Sequence, residues 1–246
     1  MEWRDEGVIL AARRHGETSV ILDVLTKEHG RHAGVVRGGA SRKQAPVLQP
    51  GNQVEVEWRA RLEDHLGAYR VELLKSRSGI MSDRGRLAAL SSICALMRFA
   101  MPERMELTQI YDDTLALIER LNSDAPFAAD YAVWELMILE ELGYGLDLSS
   151  CAATGGTQEL IYVSPKSGRA VCRQAGAEYA DRMLPLPEFL QMQGVDAELS
   201  DVLGALKTTG YFLERWLAPA LGNRPLPDAR ARLVRVLEKG EKHAEI

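Results

Sequence analysis

The chain has 246 residues, of which 46% are hydrophobic and 26% are charged, and its formal net charge is −5. This composition predicts a globular protein with a sizeable core. Its three cysteines are few and odd in number, which argues against a disulfide framework. No stretch approaches the roughly 20 apolar residues of a membrane-spanning helix, and the N-terminus lacks the basic-then-apolar order of a signal peptide, so we expect a cytoplasmic protein without a membrane segment.

The first 80 residues alternate apolar and polar side chains in short runs. The runs are EGVILAARR, TSVILDVLT, HAGVVRG, NQVEVEWRARLED and GAYRVELLKS. A period of two is typical of half-buried strands, so Val54, Val56 and Trp58 are predicted to point inward on the fourth strand, and Tyr69, Val71 and Leu73 on the fifth. Five short strands predict a small barrel. The segment GGASRKQAPVLQPG predicts a partly flexible loop because its glycines and prolines prevent regular structure.

The charges are divided unevenly along the chain. Residues 1–80 carry 13 basic and 11 acidic side chains, whereas the remainder carries 17 and 24. Residues 30–53 contain no acidic residue, and Arg31, Arg37, Arg42 and Lys43 lie there. Such a stretch is either an ordinary solvated loop or a contact for a polyanion.

After Ser82 and Asp83, either of which can cap a helix, the hydrophobic period becomes 3.6, which predicts successive amphipathic helices. Three apolar stripes are Leu87, Leu90, Cys94, Met97 and Met101; Ile110, Thr114, Leu117 and Leu121; and Phe127, Tyr131, Trp134, Ile138 and Leu142. Apolar residues such as Val133 also occupy other faces of the third helix, which predicts that it is the buried centre of a helical domain. LGYGLDL ends this helix, with Gly143 and Gly145 suited to left-handed backbone.

An ordered set of motifs identifies a family. The motifs are EGVIL, GETSVILDVLT, GRHAGVVRGGASRK, LQPG, LGYGLDL, VSPKSGRAVC and LGNRPL. In this order and at these intervals the chain resembles the RecO family, the bacterial recombination mediators of the RecF pathway of DNA repair. The resemblance implies an α+β fold: a five-stranded OB-fold barrel over residues 1–80 and a helical domain over 81–246. Within the latter, residues 147–176 form a degenerate zinc-ribbon-like hairpin insert.

The same resemblance implies partners. It implies binding to single- and double-stranded DNA, annealing of complementary strands, and work with RecR and the C-terminal tail of the single-strand-binding protein during the loading of RecA. Aromatic residues are only 6% of the chain, and Trp58 and Tyr69 fall on the predicted core face. Phosphate contacts are therefore expected to dominate over base stacking. The candidate DNA-binding residues are Arg31, Arg37, Arg42, Lys43, Arg59 and Arg61, with Arg70 as a further outward-facing cation.

The final third of the chain offers a second candidate surface. RWLAPALGNRPL places apolar side chains near basic ones, a combination that suits an acidic and apolar partner tail. The candidate residues are Arg215, Trp216, Leu221, Arg224 and Arg230. The alternative is a basic, solvated helix face without a partner.

The insert is bounded by two cysteines. Zinc-binding members of the family carry two C-x-x-C pairs here, since structural zinc takes four nitrogen or sulfur ligands. In this chain Thr154 and Ala175 occupy the second positions after Cys151 and Cys172, and no histidine lies between residues 151 and 175. We therefore expect no metal. ELIYV and GRAVC are expected to pair as a hairpin that buries Leu160, Tyr162 and Val171.

No catalytic constellation is evident. Asp112-Asp113 and Glu140-Glu141 are explained by solvated helix faces, and His29 and His32 by polar turns. No nucleophile is paired with a base and no phosphate-binding loop is present, so the sequence predicts a binding protein, neither an enzyme nor a cofactor carrier. Two alternatives remain: a protein–protein adaptor that touches no nucleic acid, and an RNA-binding OB protein of translation.

Overall fold

The computed structural model describes residues 1–192 and 195–244. Its first five strands are β1 (Glu2–His15), β2 (Ser19–Thr26), β3 (Gly30–Val36), β4 (Gln53–Arg59) and β5 (Ala68–Lys75). They form a closed barrel in the order β1-β2-β3-β5-β4, in which β3 and β5 are parallel and the other pairs are antiparallel. This order is that of an OB fold. The predicted α+β class, with a five-stranded barrel at its N-terminus, is confirmed.

Alternation along the strands builds the barrel core. Val54, Val56 and Trp58 are buried, Trp58 with 1% of its surface exposed, so the prediction for β4 is confirmed. On β5, Tyr69 is buried but Leu73 is 40% exposed, and the prediction for Leu73 is wrong. The register of β4 and β5 shifts between Gln53 and Val54, beside Leu73, and strict alternation ends there.

Helices follow the barrel. The longer ones are α1 (Arg84–Ala100), α2 (Thr108–Leu121), α3 (Ala128–Leu139), α5 (Leu199–Phe212) and α7 (Asp228–Ala244); α4 (Arg173–Gly176) and α6 (Ala218–Ala220) are single turns. The cap of α1 is Asp83, whose carboxylate accepts a hydrogen bond from Arg86 N. The stripe of α2 is buried as predicted. Leu87, in the first turn of α1, is exposed, unlike the rest of its predicted stripe. Val133 on α3 is also exposed, so α3 is not buried on every face. A π-helical turn (Glu140–Tyr144) ends α3 with Gly143 at φ 83°.

The insert contains the predicted hairpin. Strands β6 (Leu160–Val163) and β7 (Ala170–Cys172) pair antiparallel, and β8 (Leu184–Pro185) adds to the other edge of β6. Leu160 and Val171 are buried, whereas Tyr162 is half-buried. Gly176 in α4 permits the close approach of the Tyr162 ring, because a Cβ there would lie 2.5 Å from the ring.

Contacts divide the chain into two compact units. The barrel unit comprises Met1–Ala125 with Pro227–Arg232, and the helical unit comprises Pro126–Leu226 with the part of α7 from Leu233 onward. Helices α1 and α2 therefore belong with the barrel, and the domain boundary after residue 80 stays a prediction. In the described part of the chain, no helix is both long enough and apolar enough to cross a bilayer.

Candidate nucleic-acid interface

The loop between β3 and β4 is tied to the barrel. Ala40 N donates to Thr18 O in the β1–β2 turn at 3.0 Å, and the Asn52 side chain donates to the carbonyls of Pro46 and Val47 at 2.9 and 3.0 Å. Leu48 is buried in the barrel core. The segment is irregular, as predicted, but it is hydrogen-bonded and anchored, so its cations are held at a defined place.

Three candidate cations lie on this loop with their side chains in solvent. Arg37, Arg42 and Lys43 are exposed, and none of them forms an ion pair within the described residues. No acidic residue lies in the surrounding segment 30–53. Unpaired cations on an anchored loop are available to phosphate oxygens without first breaking an internal salt bridge.

A cleft of about 690 Å³ extends from this loop across the ends of β4 and β5. Its cationic lining residues are Arg37, Arg59 and Arg70, and Glu72 is the acidic one. Arg59 is paired with Glu2 at 2.7 Å and with Glu57 at 2.5 Å. We call the surface of this cleft, together with Arg42 and Lys43 on its loop, the basic cleft. Arg61 is exposed two residues beyond Arg59 and does not line the cleft.

Arg31 is placed differently from the other candidates. Its guanidinium donates to Asp23 Oδ2 at 3.0 Å, to the Met101 carbonyl at 3.0 Å and to Glu103 Oε1 at 3.2 Å. Only 14% of its side chain is exposed. Its hydrogen bonds are used inside the barrel unit, so we do not include Arg31 in the proposed contact surface.

Two further cations, which were not predicted as site residues, lie beside the loop. Arg13 and Arg14 are exposed near the end of β1, where Arg14 pairs in register with Val20 and Val20 with Val36, the residue before Arg37. The register thus places them in the same region of the barrel as the loop. The signal for them was adjacent arginines directly before a hairpin turn.

The second candidate surface is only partly assembled. Trp216 is half-buried: its ring is 4.5 Å from that of Phe212 and covers Gly168, which has φ 66°. Arg215 and Arg224 are exposed, and Arg224 Nε donates to the Leu221 carbonyl at 3.3 Å. Arg230 is only 9% exposed and is grouped with the barrel unit. We therefore leave Arg230 out of this surface.

Cys151, Thr154 and Cys172 of the insert lie close together. Cys151 Sγ accepts a hydrogen bond from Cys172 N at 3.3 Å, and Thr154 Oγ1 lies 4.0 Å from Cys172 Sγ. Hydrogen bonds from the Thr154 hydroxyl and the Cys172 backbone lower the pKa of the Cys151 thiol to about 6. Among the described residues, no three His, Cys, Asp or Glu side chains are grouped to hold a metal ion.

Comparison with known proteins covers almost the whole chain. The family described as "Recombination protein O N terminal" matches residues 1–77, and "Recombination protein O C terminal" matches residues 81–225. The "DNA repair protein RecO" of Ruegeria sp. (strain TM1040) is 55% identical over 240 residues, 97% of this chain and 99% of that protein. Its counterpart in Dinoroseobacter shibae is 53% identical over the same shares. One from Cereibacter sphaeroides (strain ATCC 17029 / ATH 2.4.9) is 51% identical over 239 residues.

Proposed function

The chain belongs to the RecO family, and from this membership we propose that it is a DNA-binding recombination mediator of DNA repair. It binds single- and double-stranded DNA, anneals complementary strands, and helps to load RecA together with RecR. The observation that carries the DNA-binding proposal is the basic cleft, where unpaired Arg37 on an anchored loop adjoins Arg59 and Arg70.

The chemistry of the basic cleft favours the phosphate backbone over the bases. Trp58 and Tyr69, the aromatic residues of β4 and β5, are buried in the barrel core, so they are not available as stacking platforms. Guanidinium and ammonium groups neutralise phosphates irrespective of sequence, and the released counterions make such binding strongly dependent on salt. Binding without sequence preference suits annealing, because base pairing itself then selects the partner strand.

The helical unit supplies the proposed partner site. Exposed Arg215 and Arg224 flank half-buried Trp216 and Leu221, so cationic groups adjoin an apolar surface. We propose that this surface takes the acidic C-terminal tail of the single-strand-binding protein, since carboxylates pair with arginine while apolar residues of the tail cover the indole. Catalysis of a covalent step is not part of the proposal, and action at the nucleoid of the cytoplasm stays a prediction.

The test is a pair of charge reversals in the basic cleft. Arg37→Glu with Arg70→Glu should weaken binding to a fluorescein-labelled poly(dT) oligonucleotide, measured by anisotropy at about 50 and 200 mM salt, and should slow annealing of complementary strands. The matched control is Arg173→Glu with Arg182→Glu, two exposed arginines of the helical unit. Equal binding by wild type and cleft variant would refute the DNA site. Tighter binding to an RNA of matching sequence would favour the RNA-binding alternative.

A further inference from the structure

A second cavity, of about 510 Å³, lies in the barrel unit and shares no lining residue with the basic cleft. Its aromatic wall is a stack in which Trp3 lies between His29 and Trp58, with ring centroids 4.1 and 5.6 Å apart. His32 meets Trp58 edge-on at 4.8 Å. We call this cavity the acidic pocket, for the charges described next.

Carboxylates predominate among the charged groups that line the pocket. Its four glutamates are Glu2, Glu28, Glu63 and Glu106. The opposing cations are Arg104, the N-terminal ammonium, which donates to the Ala60 carbonyl at 2.7 Å, and Arg59, which pairs with Glu2 from outside the pocket. A cavity with this charge repels phosphate and attracts an ammonium or guanidinium group.

Two glycines allow the walls to meet. Gly30 has φ 63°, and a Cβ there would overlap the Met105 carbonyl, so only glycine lets the segment that carries Arg104 and Glu106 lie against the β2–β3 turn. Gly67, at φ 65°, gives Trp58 the same room on the other wall. Trp58 Nε1 donates to the Leu66 carbonyl at 3.1 Å, which fixes the loop that bears Glu63.

His32 contributes a hydrogen-bond acceptor to the pocket. It is 3% exposed and lines the pocket, and its Nδ1 lies 3.1 Å from the Ala33 carbonyl. A carbonyl oxygen only accepts, so Nδ1 carries the proton and Nε2 is an acceptor. Solvent reaches Nε2, because His32 has no fully buried ring nitrogen that lacks a partner among the described residues. An acceptor that lines a cavity can receive a hydrogen bond from a donor on a ligand.

The surface around the pocket is apolar. Met1, Leu62 and Met105 are 66%, 53% and 49% exposed. Met1 lines the pocket, and the other two adjoin the lining residues Glu63, Arg104 and Glu106 in sequence. Exposed apolar side chains around a charged cavity are typical of a surface that is covered by a protein partner.

We propose that the acidic pocket docks a basic segment of a partner protein, with one arginine side chain inserted and apolar neighbours covering Met1, Leu62 and Met105. The arginine donates to His32 Nε2 and to the glutamates of the rim, while its methylene stem packs against the Trp3 stack. A protein segment is favoured over a nucleic acid because the four carboxylates would face its phosphates. This site shares no lining residue with the basic cleft, and it can bind a peptide in the absence of DNA.

The test uses a short fluorescein-labelled peptide in which arginines alternate with leucines. Glu28 and Glu63 are exposed, so Glu28→Gln with Glu63→Gln should leave the fold intact and weaken peptide binding about tenfold, since two exposed charge pairs are lost. The matched control, Glu178→Gln with Glu214→Gln, changes two exposed glutamates of the helical unit and should bind like wild type. His32→Phe keeps an aromatic ring without the acceptor and should also weaken binding.

Three results would overturn the proposal. The first is unchanged peptide affinity in the Glu28 and Glu63 variant. The second is an equal loss in the control pair, which would show attraction by net charge alone. The third is weaker poly(dT) binding in the pocket variant with peptide binding intact, which would assign the pocket to a single strand. Failure of wild type to bind DNA, with peptide binding retained, would refute the proposed function and leave this inference standing.

Discussion

Arg31 Nη1 donates to Asp23 Oδ2 at 3.0 Å, and Arg98 Nε donates to the same oxygen at the same distance. Asp23 is 3% exposed, so its carboxylate is held by two guanidinium groups in a largely dry setting. Removing one partner of such a pair leaves a buried charge short of its hydrogen bonds. Arg31 thus has a structural use that the other candidate cations of the barrel lack.

The first prediction follows from this pair. Arg31→Ala should lower the free energy of unfolding by about 2 to 4 kcal/mol, measured by urea denaturation, because Asp23 loses a buried partner. Its affinity for poly(dT), measured on folded protein, should change less than twofold. Arg42→Ala is the control and should show the opposite pattern: unchanged stability and weaker DNA binding. A large loss of DNA affinity in folded Arg31→Ala protein would return this residue to the contact surface.

The second prediction concerns the anchored loop. Arg37→Ala, Arg42→Ala and Lys43→Ala together should flatten the plot of log affinity against log salt by roughly two to three units, at about 0.7 to 0.9 per lost phosphate contact. Stability should barely change, since all three side chains are exposed. The measurement is an anisotropy titration across a salt series, with Lys166, Arg173 and Arg182 changed to alanine as the control. An unaltered slope would place the contact elsewhere.

Features that depend on neighbouring residues could be predicted from the sequence, whereas contacts between residues far apart in the chain could not. Val54, Val56 and Trp58 were placed correctly because alternation along one strand is a property of neighbouring residues. The internal partners of Arg31 could not be foreseen, because they include Met101 and Glu103, about 70 positions away. Nothing near Arg31 in the sequence signals those partners.

The candidate site shows the same limit. Arg13 and Arg14 are brought near the loop only by the pairing of β1 with β2 and of β2 with β3. The register of such pairing is a tertiary property that the sequence of one strand does not specify. The acidic pocket was missed for a related reason. Its lining residues come from positions 1–3, 28–32, 58–63 and 104–106, and no one of these segments looks like a site alone.

The third prediction tests the lost metal site. Wild type should contain no stoichiometric zinc and should keep its melting temperature in chelator. Thr154→Cys with Ala175→Cys should bind about one zinc per chain and gain a chelator-sensitive rise in melting temperature. Cys151 Sγ and Cys172 Sγ already adjoin Thr154, and residue 175 lies one helical turn after Cys172. The measurement is elemental analysis with calorimetry. Zinc in wild type at the level of the double variant would contradict it.

The fourth prediction concerns pH. Burial lowers the pKa of His32, and the charges of Arg104 and His29 act in the same direction, against the Ala33 carbonyl and Glu103. The unfolded chain, with a histidine pKa near 6.5, therefore binds more protons as the pH falls below that value. Stability of the barrel is kept above about pH 6.5 and lost as the pH falls through the lowered pKa of the folded state, by about 1.4 kcal/mol for each pKa unit of difference.

Urea titrations at pH values from about 7.5 to about 5 would measure this loss, because this range spans the reference histidine pKa of about 6.5. His32→Phe should have a flatter profile over that range, because the ring no longer titrates. His15→Phe is the control: His15 is exposed in the β1–β2 turn, and its replacement should leave the profile of wild type unchanged. Parallel profiles for His32→Phe and wild type would assign the acid sensitivity to other groups.

The fifth prediction concerns the partner surface of the helical unit. Arg215→Glu with Arg224→Glu should weaken binding to a labelled peptide of the single-strand-binding protein's acidic tail by about tenfold, since two exposed charge contacts are reversed. Poly(dT) affinity should stay within twofold of wild type. Both affinities are read by fluorescence anisotropy, with the Arg173 and Arg182 reversal as the control. Equal losses for tail and DNA, or a loss for DNA alone, would refute the assignment.

The salt bridge between Glu2 and Arg59, at 2.7 Å, joins the acidic pocket to the basic cleft. Glu2 has Arg59 as its partner, whereas Arg59 is shared between Glu2 and Glu57, the latter at 2.5 Å. A phosphate that pairs with Arg59 releases the Glu2 carboxylate to a cation, and a cation that pairs with Glu2 removes one of the two carboxylates that compete with a phosphate for Arg59. If both proposed sites bind their ligands, ligands of opposite charge should strengthen one another, and thermodynamic linkage requires the same factor in both directions. On the two proposals made above, this surface ion pair would favour a complex that holds a nucleic acid and a basic partner together.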